Sequence, residues 1–148
     1  MASKRLHGFT LLELLVVIAI IAIASAGVSF AMRDSAQTQL EREAQRLAAL
    51  LESGRAQSRS SGIPVRWQPT AQGFRFEGLA ADALPQNWIS AGTTAQVSVI
   101  AAQGQPALQL GPEAIIGKQA VVLSAAGRSL RIATDGLRPF AVEAAEAP

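Results

Sequence analysis

"HGFTLLELLVVIAIIAIASAG", residues 7–27, decides how the rest of the chain is read. No charged residue stands between Leu14 and Met32. At ~1.5 Å per residue that run makes a helix about 28 Å long, the thickness of one bilayer core. Yet a carboxylate, Glu13, stands at its start. An acidic side chain in hydrocarbon is costly, so its presence there calls for a reason.

The remainder of the 148-residue chain reads as soluble, with room for one modest domain. The formal charge of +2 is a weak invitation to nucleic acid. Without Lys4 and Arg5, ahead of the apolar run, 11 basic side chains face 11 acidic ones. Basic residues before a membrane segment hold the N-terminus in the cytoplasm and send the rest across. The chain has no cysteine, hence no disulfide and no thiolate metal site.

Two readings of the N-terminus compete. In the first, Lys4 and Arg5 open an ordinary secretory signal, Leu14–Ile23 form its apolar core, and cleavage follows Ala24-Ser25-Ala26 to leave Gly27 first. Against it stand Glu13, at the start of the apolar core, and the apolar residues beyond the cut, Val28, Phe30 and Met32. The second starts from Gly8-Phe9-Thr10-Leu11-Leu12-Glu13 after a basic leader. This resembles the processing signal of type IV pilins and type II secretion pseudopilins. The resemblance implies cleavage by a prepilin peptidase after Gly8, N-methylation of Phe9, and pairing of Glu13 with a terminal amine during filament assembly. A carboxylate in a low-dielectric bundle is tolerable once a cation neutralises it, so the motif supplies the missing reason for Glu13.

Residues 34–60 hold no proline and are rich in good helix formers. Leu40, Ala44, Leu47 and Leu51 form one apolar stripe, with Glu41, Arg42, Arg46 and Glu52 largely off it. Gly62 and Pro64 end the pattern, and Gly54 is a weak point within it. The expectation is one helix over 10–60, or two with a bend at Gly27. The stripe is too short for a coiled coil, so it should pack on the chain's own sheet.

After Pro64 the pattern becomes that of strands. "VRWQ" and "FRFEGL" flank "PTAQG" as a hairpin, with Phe74 and Phe76 on one face. "AQVSVIA" and "LQL" read as a third and a fourth strand. "KQAVVLSAAGRSLRIAT" is a hairpin turning near Ala126-Gly127, and "RPFAVEA" a last strand. The expected class is α+β, a long N-terminal helix packed by its second half on an antiparallel sheet. The domain organisation is a leader at 1–8, a membrane and assembly half of the helix at 9–32, its second half at 33–60, and a β-rich globular domain at 61–148. The loop around 80–95, with Trp88 as a core anchor, is a candidate contact surface.

No catalytic constellation is legible. The one histidine, His7, falls in the leader, and Asp82, Glu113 and Asp135 are scattered without metal-ligand spacing. No enzyme activity, cofactor or metal is expected.

"LEREAQRLAALLESGRAQSRSSGIPVRW", "GFRFEGL" and "GRSLRIATDGLRPFAVE" extend the likeness, and the chain resembles the minor pseudopilin H family, which shares its domain with FimT-type minor pilins. This implies a structural subunit near the tip of a periplasmic pseudopilus that drives folded proteins across the outer membrane. Its partners would be other minor pseudopilins, the major pseudopilin, prepilin peptidase and inner-membrane lipid. The tip-capping member lacks the glutamate that Glu13 supplies here. The major subunit has a calcium-binding loop near its C-terminus, whereas the segment here ends in "EAAEAP" after Arg138-Pro139 with no cluster of Asp and Asn. The alternative is a minor type IV pilin for pilus assembly or DNA uptake, with Arg128, Arg131 and Arg138 as phosphate contacts. Asp135, Glu143 and Glu146 offset those arginines, so nucleic acid is the less favoured partner.

Overall fold

No proline interrupts residues 11–61, and this stretch forms one α-helix, α1 (Leu11–Ser61). The computed structural model describes residues 10–98 and 104–144, with the side chains of all but 29–34 and Ala144. The helix runs through Gly27 without a break. It stops at Gly62, whose backbone takes a φ of +70° and whose N–H bonds the Ser58 carbonyl at 2.9 Å. The chain divides into two compact units between Ser35 and Ala36. In the first, Leu11–Val28 is long and apolar enough to cross a membrane and none of it is buried.

The second unit packs residues 36–61 of α1 with seven strands: β1 (Arg66–Pro69), β2 (Phe74–Glu77), β3 (Thr94–Val97), β4 (Leu108–Gln109), β5 (Gln119–Ala125), β6 (Arg128–Thr134) and β7 (Ala141–Ala144). The fold is α+β, as the sequence pattern predicts, but the expected single sheet is two. One sheet has the order β2-β1-β4 and the other β3-β5-β6-β7, antiparallel throughout. Their boundary lies between β4 and β5, where a side chain stands in for a strand. The Gln119 amide accepts from Gln109 N–H at 2.9 Å and donates to the Gln109 carbonyl at 2.5 Å. A glutamine amide carries the same donor and acceptor as a peptide group.

Strand limits shift slightly. β1 begins one residue late, at Arg66, and β7 begins at Ala141, not Arg138. The end of the expected strand "AQVSVIA" lies outside the described residues beyond Ser98. The β5–β6 hairpin turns at Ala126 and Gly127, with φ of +51° and +74°, the two-residue turn whose twist suits antiparallel strands.

The apolar stripe of α1 is the floor of the core. Leu40, Ala44, Leu47 and Leu51 are buried with Val65, Trp67, Phe74, Phe76, Leu123 and Ile132. Phe74 and Phe76 share the inner face of β2, while Arg75 points to solvent. Gly54, a liability for helix propensity, lets the sheet approach. A methyl there would lie 3.0 Å from Leu110 Cδ1 and 3.1 Å from Phe76 Cε1. The close approach of helix and strands accounts for a residue that propensity alone disfavours.

Candidate functional site

The helix begins immediately after Thr10. The Thr10 Oγ1 accepts a hydrogen bond from the Glu13 N–H at 3.2 Å, and the Thr10 carbonyl accepts one from Leu14 N–H at 3.2 Å. Thr10 is therefore the N-cap, and Glu13 sits three residues on, the T-x-x-E spacing of a capping box. Its carboxylate lies in the first turn, where the helix dipole favours negative charge, and it is exposed. Behind it runs the wholly exposed apolar face of Leu11–Val28. Of the three expected processing and assembly residues, only Glu13 is described; Gly8 and Phe9 lie outside the described residues.

In the globular unit the three candidate arginines do not form one patch. Arg128 donates to Gln37 Oε1 on the helix at 3.0 Å. Arg131 pairs with Glu143, its partner across the β6–β7 register. Arg138 stands 3.6 Å from Asp135. Arg131 and Arg138 do line one open cavity of about 630 Å³, together with Lys118, Asp135 and Glu143. Three cations there face two carboxylates. Asp135 is held in its ionised form, its pKa lowered by the Arg138 and Leu137 N–H groups, which donate to Oδ1 at 2.8 and 2.9 Å.

Two charged residues that the sequence pattern does not single out organise this unit. Glu43 is 2% exposed and Arg55 3%. Glu43 Oε2 accepts from the N–H groups of Ile89 at 2.9 Å and Ser90 at 3.2 Å, and its Oε1 accepts from Arg46 at 2.9 Å. Arg55 donates to the carbonyls of Gly136 at 2.9 Å, Ala114 at 3.2 Å and Arg138 at 3.4 Å, and Glu52 lies 3.7 Å from it. Glu52 accepts in turn from Phe140 N–H at 2.9 Å. The signal for Arg55 was present: the stripe spacing continues from Leu51 to Arg55 and Ser58, both buried. Trp88 is an anchor as expected, partly buried with its ring 4.6 Å from Phe74 and 6.5 Å from Trp67.

Residues 3–29 match the family model described as the prokaryotic N-terminal methylation motif. This supports a type IV pilin-like protein. The match covers the basic leader, Gly8, Phe9, Glu13 and the apolar helix through Val28. Together with that exposed helix it is compatible with a single-pass membrane anchor. No curated protein and no solved structure matches the chain.

Proposed function

We propose that the protein is a structural subunit of a pilin-type filament, specifically a minor pseudopilin of a type II secretion system. The reading rests on one observation: residues 3–29 match the methylation motif, and within them Glu13 stands in the first turn of an unburied, membrane-length helix. Prepilin peptidase removes residues 1–8, Phe9 is methylated, and the mature chain sits in the inner membrane with its globular unit in the periplasm. Glu13 then neutralises a terminal ammonium in the filament. The apolar helix passes from lipid to a bundle of like helices beside the major and minor pseudopilins. The protein is a substrate of the processing enzymes and performs no chemistry of its own.

The test is the intact mass of the protein extracted from membranes with and without prepilin peptidase. Loss of Met1–Gly8 plus one methyl group, dependent on the peptidase, is expected. A mature chain beginning at Gly27 would leave an ordinary exported protein and remove any role for Glu13.

A second reading, a minor type IV pilin that contacts DNA, draws on Lys118, Arg131 and Arg138 around one cavity. The carboxylates of Glu143 and Asp135 beside them weigh against it. Retardation of DNA by the protein at low and moderate salt, lost when Arg131 and Arg138 become Ala, would favour that reading. Loss of secreted proteins rather than of pili on deleting the gene would favour the first.

A further inference from the structure

Loop 86–91 is fixed from both sides. The Gln86 carbonyl accepts from Phe74 N–H at 2.9 Å, and Asn87 bridges to Gly73 on the edge of β2. From the helix, Glu43 takes the N–H groups of Ile89 and Ser90, and Arg46 donates to the Asn87 carbonyl at 3.0 Å. Ile89 itself is nevertheless 70% exposed. Beside it, Gln39 and Arg42 stand on the helix face that carries Glu43 and Arg46, and with Ser90 and Ala91 they line an open groove of about 430 Å³. Arg42 is exposed and, among the described residues, makes no ion pair or hydrogen bond.

A single exposed isoleucine is an ordinary surface feature. An isoleucine whose backbone is pinned by a buried carboxylate is not. The ordering entropy of its loop is already lost before a partner arrives, which is what preorganisation for binding requires. The groove also states its complement. The Glu43 charge is satisfied by three donors, which leaves the Arg42 guanidinium free to receive a carboxylate on its fork. Ile89 next to it needs an apolar neighbour, which a small anion or a phosphate cannot supply.

We propose that this groove docks a pilin-type subunit other than a second copy of this chain, through an acidic side chain flanked by apolar ones, the carboxylate on Arg42 and the apolar atoms over Ile89. This rests on the reading of the chain as a minor filament subunit, whose neighbours are other pilin-type chains. Filaments grow by heterologous contacts, in which the surface offered differs from the surface received.

Because the chain has no cysteine, Ala91→Cys gives a single attachment point in the full-length protein. It would be labelled in membranes with a benzophenone maleimide and irradiated, and captured chains identified by mass spectrometry. Ser129→Cys, exposed on the β5–β6 hairpin, is the control. The expected result is capture, from position 91 and not 129, of a different chain that itself bears an N-methylated N-terminus. Arg42→Glu should lower that capture about tenfold or more, as loss of an interface arginine does, with the thermal midpoint of the protein unchanged. Undiminished capture in Arg42→Glu would overturn the proposal. So would capture only of lipid or of a second copy of this chain. No capture from position 91 in protein whose mass shows a cleaved, methylated N-terminus would overturn the docking site and leave the filament reading intact. An uncleaved, unmethylated chain would overturn both.

Discussion

Glu43→Ala tests the claim that a buried acid holds loop 86–91. The carboxylate accepts two backbone N–H bonds and one from Arg46. Hydrogen bonds to a charged group contribute ~1.5–3 kcal/mol each. Ile89 is exposed and Ser90 half-buried, so water reaches both amides once the acid is gone, and each bond is taken at about half the lower value, ~0.75 kcal/mol. Arg46 is 23% exposed and keeps its bond to Asn87, which limits the loss of the pair to about 0.7 kcal/mol. The methylene removed from the core adds ~0.8 kcal/mol. The total is about 3 kcal/mol, the lower end of the range for breaking a buried pair. For a unit of this size that lowers the thermal midpoint by roughly 12 °C, at ~4 °C per kcal/mol. Glu43→Gln keeps the shape and one acceptor but faces a donor with a donor, and should lose about half as much.

The assay is thermal unfolding of the full chain in detergent, followed by tryptophan fluorescence, with hydrogen exchange read at the Ile89 and Ser90 amides. Trp88 rides on the same loop against Phe74, so release of the loop alters its emission before global unfolding. A Glu43→Ala protein within about 1 kcal/mol of the parent, the spread of an ordinary point mutation, with both amides still slow to exchange, would refute the clamp.

Arg55→Met should cost about 3 kcal/mol in urea unfolding, because three carbonyls and Glu52 lose their cation. Arg55→Lys should restore only part of it, since an ammonium lacks the fork that reaches all three. Carboxyl NMR should find Asp135 titrating below the ordinary value of 3.8. A folded pKa lowered in this way contributes stability that is present above 3.8 and is lost as pH falls through the folded pKa, so Asp135→Asn should flatten the pH dependence of unfolding only in that acidic window. Glu13→Leu should leave membrane insertion intact and impair incorporation into a filament, read as the ratio of membrane-bound to filament-bound protein.

The parts of this fold that were legible in sequence are those set by local pattern. The uncharged run, the stripe from Leu40 to Leu51 and the stop at Gly62 and Pro64 delimit the helix within a residue or two. The alternation of Phe74, Arg75 and Phe76 marks a half-buried strand. The division into two sheets was not legible, because it turns on the Gln119 side chain bonding the backbone of Gln109. Periodicity records which face a residue takes and not what its amide bonds. The cancellation of the C-terminal arginines was half legible. Their acidic neighbours are visible in the sequence, but that Arg131 meets Glu143 follows only from the β6–β7 register. Glu43 escaped because a charge beside an apolar stripe reads by default as solvated, and its backbone partners lie more than forty residues away.

Burial of Glu43 and Arg55 is hard to explain by stability alone, since well-packed apolar residues in place of a buried charge are often neutral or better. What an apolar side chain could not do is hold backbone. Glu43 bonds N–H groups and Arg55 bonds carbonyls, so one helix of fixed geometry sets the conformation of loops that have no sheet partner at those positions. The side chains those loops present, Ile89 in one case and Ile115 and Leu137 in the other, are apolar and 66–70% exposed. A monomer gains only fold stability from holding the backbone of these loops. A subunit that must meet neighbours repeatedly and in one orientation gains more, because each ordered loop removes an entropic cost from every assembly step. If the chain is the filament subunit proposed above, the buried charges would serve assembly as Glu13 would. The membrane-length helix would bring subunits together, and the loops pinned by its second half would determine which subunit fits.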